Sequence, residues 1–304
     1  MVGSTNGRSA RGRLRAGVVA LAVLLAAAGA WWSGALPCAL VVAQPACQLV
    51  VTGGPVLDTA ELVAVGAGDG TVAVREPAGR LLATTIEVSE PAGVSAWWGA
   101  VRDADRDLVA RARLVPPGGD LTDVARAGRT RMEESRTRAA AVALAGLGLV
   151  EDGAVGPDGW PVTVTFATEE VGGPSAGLML ALAVHARLAP SDPTARPEGA
   201  ASGLPPLVVA GTGALAADGT VTAVGGVDHK LRSAVDDARA GARPDAFLLP
   251  VDDLPLARRT TLTRDVLLVP VVDVADAVAA VTTLAAGGVP SDAEPLTADD
   301  GGAR

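Results

Sequence analysis

Residues 161–177 read Pro161-Val-Thr-Val-Thr-Phe-Ala-Thr-Glu-Glu-Val-Gly172-Gly173-Pro174-Ser175-Ala176-Gly177, and the rest of the chain is organised around them. The opening residues alternate branched apolar and hydroxyl side chains, which is the pattern of a strand. The apolar run Leu178-Met-Leu-Ala-Leu-Ala-Val-His-Ala-Arg-Leu188 then predicts a helix. Ser175 therefore lies where a strand turns sharply into a helix. At such a turn the amides point outward and the helix dipole favours an anion. Gly172 and Gly173 let backbone approach a substrate, and Pro174 suits a first helical turn. The arrangement suits a nucleophile that attacks a carbonyl and then stabilises an oxyanion.

A serine needs a base, and the composition singles one out. Lys230 is the only lysine, so 24 of the 25 lysine and arginine residues are arginine. Absent Tyr and abundant Ala, Gly and Arg indicate a GC-rich coding background that turns replaceable lysines into arginines. The lysine that remains marks a position arginine does not fill. Arginine keeps its proton in a protein, whereas a desolvated lysine can become a neutral amine. Ser175 and Lys230 thus form a candidate Ser–Lys dyad. Taken alone, Ser175 would be an ordinary helix-start serine and Lys230 a solvated surface charge.

At 304 residues the chain has room for one large domain or two small ones. Its net charge is −9, but the first fifteen residues carry Arg8, Arg11, Arg13 and Arg15 without an acid, leaving −13 for the remainder. An acidic body with two Phe and no Tyr is a poor nucleic-acid binder. Residues 16–57 carry no charge, and Ala16 to Ala35 is apolar apart from Ser33, long enough to span a bilayer. The preceding arginines, and Trp31-Trp32 near the far end, predict a cytoplasmic N-terminus and an exported body. A cleaved signal peptide ending at Ala28-Gly29-Ala30 is the competing reading, and it exports the body too. Cys38 and Cys47, the only cysteines, then lie on the oxidising side, where a small-loop disulfide is expected ahead of two unpaired thiols. Two Cys and two distant His have no metal-ligand spacing, so no metal or cofactor is expected.

Further along, strands are expected over 61–65, 71–75 and 81–88, followed by a helix over 95–113. Asp120 or Thr122 caps a longer helix ending at Gly146, where glycine closes the helix. Past the serine helix, 189–206 reads as a surface loop, 207–213 as a strand and 214–224 as a hairpin. A helix from Asp228 to about Ala240 carries Lys230 on its first turn. Residues 246–250 and 266–270 read as buried strands, 272–286 as a last helix, and the acidic tail from Gly287 as disordered.

These motifs together resemble a known family. They are Gly172-Gly-Pro-Ser175-Ala-Gly; Gly211-Thr212-Gly213 ahead of a hairpin; Val224-Gly-Gly-Val-Asp-His-Lys230-Leu; and Ala240-Gly241 before Phe247-Leu-Leu-Pro250. They are similar to the proteolytic domain of Lon, and more closely to the bacterial membrane-anchored Lon-like peptidases, usually built with a PDZ domain. Arg80-Leu-Leu-Ala-Thr-Thr-Ile-Glu-Val-Ser89 and the Met132…Ser135 helix extend the similarity over most of 79–285. The resemblance implies an α/β (α+β) fold: a mixed sheet with packed helices, preceded by a β-rich N-terminal segment and one transmembrane helix. The implied layout is a cytoplasmic basic tail (1–15), an anchor (16–36), an extracytoplasmic segment (37–147), a proteolytic domain (148–286) and a disordered tail (287–304). It makes Ser175 the nucleophile, Lys230 its general base and Thr212 the support of the lysine amine. The amides around Gly173 to Ala176 become the oxyanion hole.

Two departures from that family stand out. The linker at 146–160 is far too short for a PDZ domain of roughly 80–100 residues, so substrate selection would lie elsewhere. Ala214 stands where Lon has glutamate. A Walker A loop needs Gly-Lys-Ser/Thr, and the only lysine is in His229-Lys230-Leu231, so no ATP partner is expected. The expected activity is ATP-independent cleavage of exposed or unfolded polypeptides at the membrane, with homo-oligomer formation left open. A non-catalytic peptide-binding adaptor is the alternative, and a phosphate cradle in the glycine turn a weaker third. His185 lies about three helical turns beyond Ser175, and His229 points away from Lys230, so both are read as bystanders. Glu169 and Glu170 are read as solvated acids near the serine.

Overall fold

A computed structural model describes residues 6–32, 38, 43–68, 70–151, 157, 159–168, 172–197, 205–236 and 243–298, with side chains from residue 16 onward. The first elements are α1 (Asn6–Trp32), β1 (Gln48–Asp58), α2 (Thr59–Leu62), β2 (Val63–Ala67), β3 (Arg80–Ser89), α3 (Val94–Arg102), β4 (Asp107–Ala110) and α4 (Arg111–Leu114). There follow α5 (Leu121–Gly146), β5 (Val162–Phe166), α6 (Gly177–Leu188), β6 (Val208–Gly211), β7 (Ala214–Leu215), β8 (Val221–Thr222) and α7 (Val227–Val235). The chain continues through β9 (Ala246–Pro250), α8 (Leu254–Ala257), β10 (Val266–Val271), α9 (Val274–Ala285) and β11 (Glu294–Leu296). The result is a mixed α/β fold whose seven-stranded sheet runs β11-β10-β9-β6-β3-β1-β4. Two small ribbons, β2 with β5 and β7 with β8, stand beside it.

The chain forms two units, one drawn from Met1–Val51 and Val88–Gly118, the other from Thr52–Glu87 and Gly119–Arg304. In the first, β4 pairs antiparallel with the start of β1, from Gln48 opposite Ala110 to Val51 opposite Asp107. A disulfide joins Cys38 to Cys47, as expected from their spacing. The edge-on Trp31 and Trp97 rings lie 5.8 Å apart. Residues 16–32 of the expected span 16–36 lie in α1, which already begins at Asn6 within the expected basic tail, and 33–37 lie outside the described residues. Among the described residues no helix is long and apolar enough to cross a membrane.

The second unit holds the core. Strands β3, β6, β9 and β10 are mutually parallel neighbours, and β11 closes the edge antiparallel to β10. Alternate residues of these strands point to opposite faces, and both faces are covered. Ala246 and Leu248 of β9 join Leu81, Val209 and Val269 in a core roofed by α5, α6 and α9. Phe247 and Leu249 join Leu82, Ala210 and Leu268 under α7 and α8. That double burial is why these strands read as unbroken apolar runs. Helix α6 is apolar all round because it lies inside, buried at every position except His185.

Several expectations are corrected. Residues 95–113 are not one helix: α3 ends at Arg102, where the chain turns into β4 and then α4. No strand forms over 71–75, and 61–62 close α2 before β2 begins. The tail from 287 is ordered as far as 298, because β11 pairs Glu294, Pro295 and Leu296 with Leu268, Leu267 and Val266. Residues 299–304 and the expected end of the lysine helix, 237–240, lie outside the described residues.

Candidate functional site

The two predicted residues start from opposite faces of the sheet. Ser175 sits in a single 3₁₀ turn, Pro174–Ala176, that leads into α6 on one side. Lys230 sits on the first turn of α7 on the other, its amide bonded to the Gly226 carbonyl at 3.0 Å. They converge at the carboxyl end of β6, which delivers Thr212. In open parallel sheets the carboxyl ends of strands are where sites are built.

Thr212 is fully buried and joins the two elements. Its hydroxyl donates to the Ser175 carbonyl at 3.1 Å and accepts from the Lys230 Nζ at 3.1 Å. The Gly213 amide donates to the same Ser175 carbonyl at 2.8 Å, and the Leu178 amide to the Gly213 carbonyl at 3.0 Å. The serine backbone is thus fixed from behind, which leaves its side chain on a rigid mount. Thr212 itself is held through its amide, which donates to the Leu248 carbonyl of β9 at 3.0 Å.

Two glycines are required by conformation. Gly173 has φ +87° and Gly226 φ +66°, a region that side chains with a Cβ avoid. At Gly226 a Cβ would also lie 2.9 Å from the Ile86 Cγ2. The glycine pairs before Ser175 and Lys230 therefore set the approach of both helices.

Lys230 is 1 % exposed. Burial pulls its amine from the ordinary 10.5 down to about 8, against the opposing pull of the Asp253 charge. Asp253 is also buried, and burial raises its carboxyl above the usual carboxylate range. Its Oδ2 accepts from the Val224 amide at 2.9 Å. A lysine that loses its proton near neutrality can serve as a base, which an arginine there could not do.

The structure brings Ser175, Thr212 and Lys230 together; Ala176 is buried at the head of α6. Gly173 is corrected in one respect: its amide donates to the Gly128 carbonyl of α5 at 2.8 Å, so it is already engaged and is not an oxyanion donor in this arrangement. Helix α5 also supplies Ser135, 2 % exposed, whose hydroxyl donates to the Pro174 carbonyl at 3.0 Å. Sequence reasoning gave neither Ser135 nor Asp253 a role. Nothing in the local sequence set either apart from its charged neighbours.

His185 lies on α6, bordering a groove of about 860 Å³ between α5, α9 and the β7–β8 hairpin. His229 is buried beside Asp228 and Arg232, with Nε2 3.9 Å from the Asp228 carboxylate. Neither takes part in the contacts around Ser175 described above. Glu169 and Glu170 lie outside the described residues. No protein-family model matches the chain, and no curated protein matches it.

Proposed function

We propose that the chain is an ATP-independent serine peptidase of the Lon-like type, with Ser175 as nucleophile and Lys230 as general base. The observation that carries this reading is the buried Lys230 amine, hydrogen-bonded to a threonine that also holds the Ser175 backbone. The neutral amine takes the Ser175 hydroxyl proton as the oxygen attacks a peptide carbonyl. It returns that proton to the leaving amine, and the acyl-enzyme forms. Water then attacks the ester, with the same amine as base, and frees the serine. The oxyanion is assigned to the backbone amides of the turn that carries Ser175, with Gly173 set aside.

The substrates are exposed or unfolded polypeptide segments, because a chain without a nucleotide loop has no motor to unfold them. In this reading the body lies outside the membrane, an address supported by the sequence of the N-terminal arginines and apolar run and by the Cys38–Cys47 disulfide. The test is covalent labelling of the full chain with a serine-reactive fluorophosphonate probe, mapped by mass spectrometry and paired with casein turnover. Labelling at Ser175 that Lys230→Arg abolishes is the expected outcome. A folded, unlabelled and inactive chain would favour the peptide-binding adaptor instead.

A further inference from the structure

Asp253 follows β9 and leads into α8, on the sheet face that carries α7. Leu254 and Ala257 of α8 share one apolar cluster with Val227 and Leu231, which flank Lys230 along α7. Asp253 is only 7 % exposed, and its carboxylate accepts from the amide of Val224, the residue before the Gly225-Gly226 turn. A buried carboxylate is costly unless it is hydrogen-bonded or faces a cation. Here it has the Val224 amide on one side and the Lys230 amine in its field.

We infer that Asp253 is a positioning residue for Lys230, fixing the turn that starts α7 and holding a buried carboxylate whose charge acts on the amine. This deepens the peptidase reading and rests on it. The charge and the hydrogen bond act in opposite senses on catalysis. The hydrogen bond aims the helix; the charge stabilises the ammonium form and so delays loss of its proton. The pairing therefore tempers the fall that burial imposes on the Lys230 amine. Other groups near it are Asp252, which neighbours Asp253, and Asp228, His229 and Arg232 on α7 itself; Thr212 and Ser175 present only neutral groups.

Because Lys230 is the only lysine, lysine labelled with ¹³C and ¹⁵N gives one side-chain signal from the full chain, and its titration reads the amine directly. The wild-type midpoint is expected at about 8. Asp253→Asn keeps an acceptor for Val224 and removes the charge, so its midpoint falls by roughly one pH unit. Asp253→Ser, a second uncharged variant for the case in which asparagine does not fold, shifts the same way. An unchanged or raised midpoint in the folded variant overturns the inference. The measurement needs no catalysis. A shifted midpoint in a chain that cleaves nothing sinks the peptidase and leaves the pairing; cleavage with an unmoved midpoint sinks the pairing alone.

Discussion

Thr212 and Lys230 share a 3.1 Å hydrogen bond whose direction a third residue fixes. The Thr212 hydroxyl has one proton, and it is given to the Ser175 carbonyl. Thr212 can therefore only accept from the amine, whether the lysine is charged or neutral. An N–H of the neutral amine is held by Thr212, and its lone pair is left for another proton.

Thr212→Val keeps the volume and removes both bonds. It is expected to lower kcat for peptide cleavage about 10–100-fold with KM little changed, since the substrate does not touch a fully buried side chain. Thr212→Ser restores most of the rate. A valine variant with wild-type kcat would show that the amine needs no such support.

Burial of Lys230 predicts a trade between stability and activity. The folded-state amine titrates at about 8 rather than 10.5. Between those values the unfolded chain binds the extra proton, so stability is lowest below about pH 8 and rises as pH climbs towards 10.5. Lys230→Met removes that penalty but leaves the buried Asp253 carboxylate without its cation, so the two effects oppose at pH 7. The variant is expected to be inactive and to lose the rise in stability between about pH 8 and 10.5. Urea midpoints at pH 7 and pH 9.5 for both proteins measure that rise; a methionine variant that keeps it would contradict the assignment to Lys230.

The same amine predicts the acid limb of the pH–rate profile. Only the neutral form accepts a proton, so kcat/KM should rise about tenfold per unit below pH 8 and level off above it. A limb between pH 6 and 7 would instead point to a histidine, and His185→Gln and His229→Gln would identify which one.

What could be read from the sequence follows what local chemistry encodes. Strand β9 was legible because burial on both faces leaves no polar residue in Ala246-Phe-Leu-Leu-Pro250. Helix α5 was legible from Asp120, which forms a reciprocal capping box with Asp123. Ser175 was legible from the glycine turn between a strand pattern and a helix pattern, and Lys230 as the only lysine of the chain. Strand β11 was not: Glu294-Pro295-Leu296 is short and contains a proline that only an edge strand accommodates, and its partner is 28 residues away at Leu267. The roles of Asp253 and Ser135 were hidden for the same reason. Nothing local distinguishes the buried Asp253 from the exposed Asp252, or ties Ser135 to a carbonyl 39 residues on.

Helix α5 clamps the nucleophile turn on both sides, through Ser135 to the Pro174 carbonyl and through the Gly128 carbonyl to the Gly173 amide. Ser135→Ala breaks the first clamp and leaves the Pro174 carbonyl with the Gly177 amide alone, which is expected to cost about 0.5–1.5 kcal/mol and to lower kcat through a less well aimed Ser175. The same hydroxyl limits the head of α6: a Cβ at Gly177 would lie 2.8 Å from the Ser135 Oγ and 3.4 Å from the Leu215 Cγ. Gly177→Ala alone gains helix propensity but has to displace the Ser135 hydroxyl. In the Ser135→Ala background its nearest obstruction is gone, and the alanine should cost at least about 0.5 kcal/mol less. Urea unfolding of the four proteins of this cycle measures the coupling. Additive losses would mean that α5 and the head of α6 are not in direct contact at Ser135.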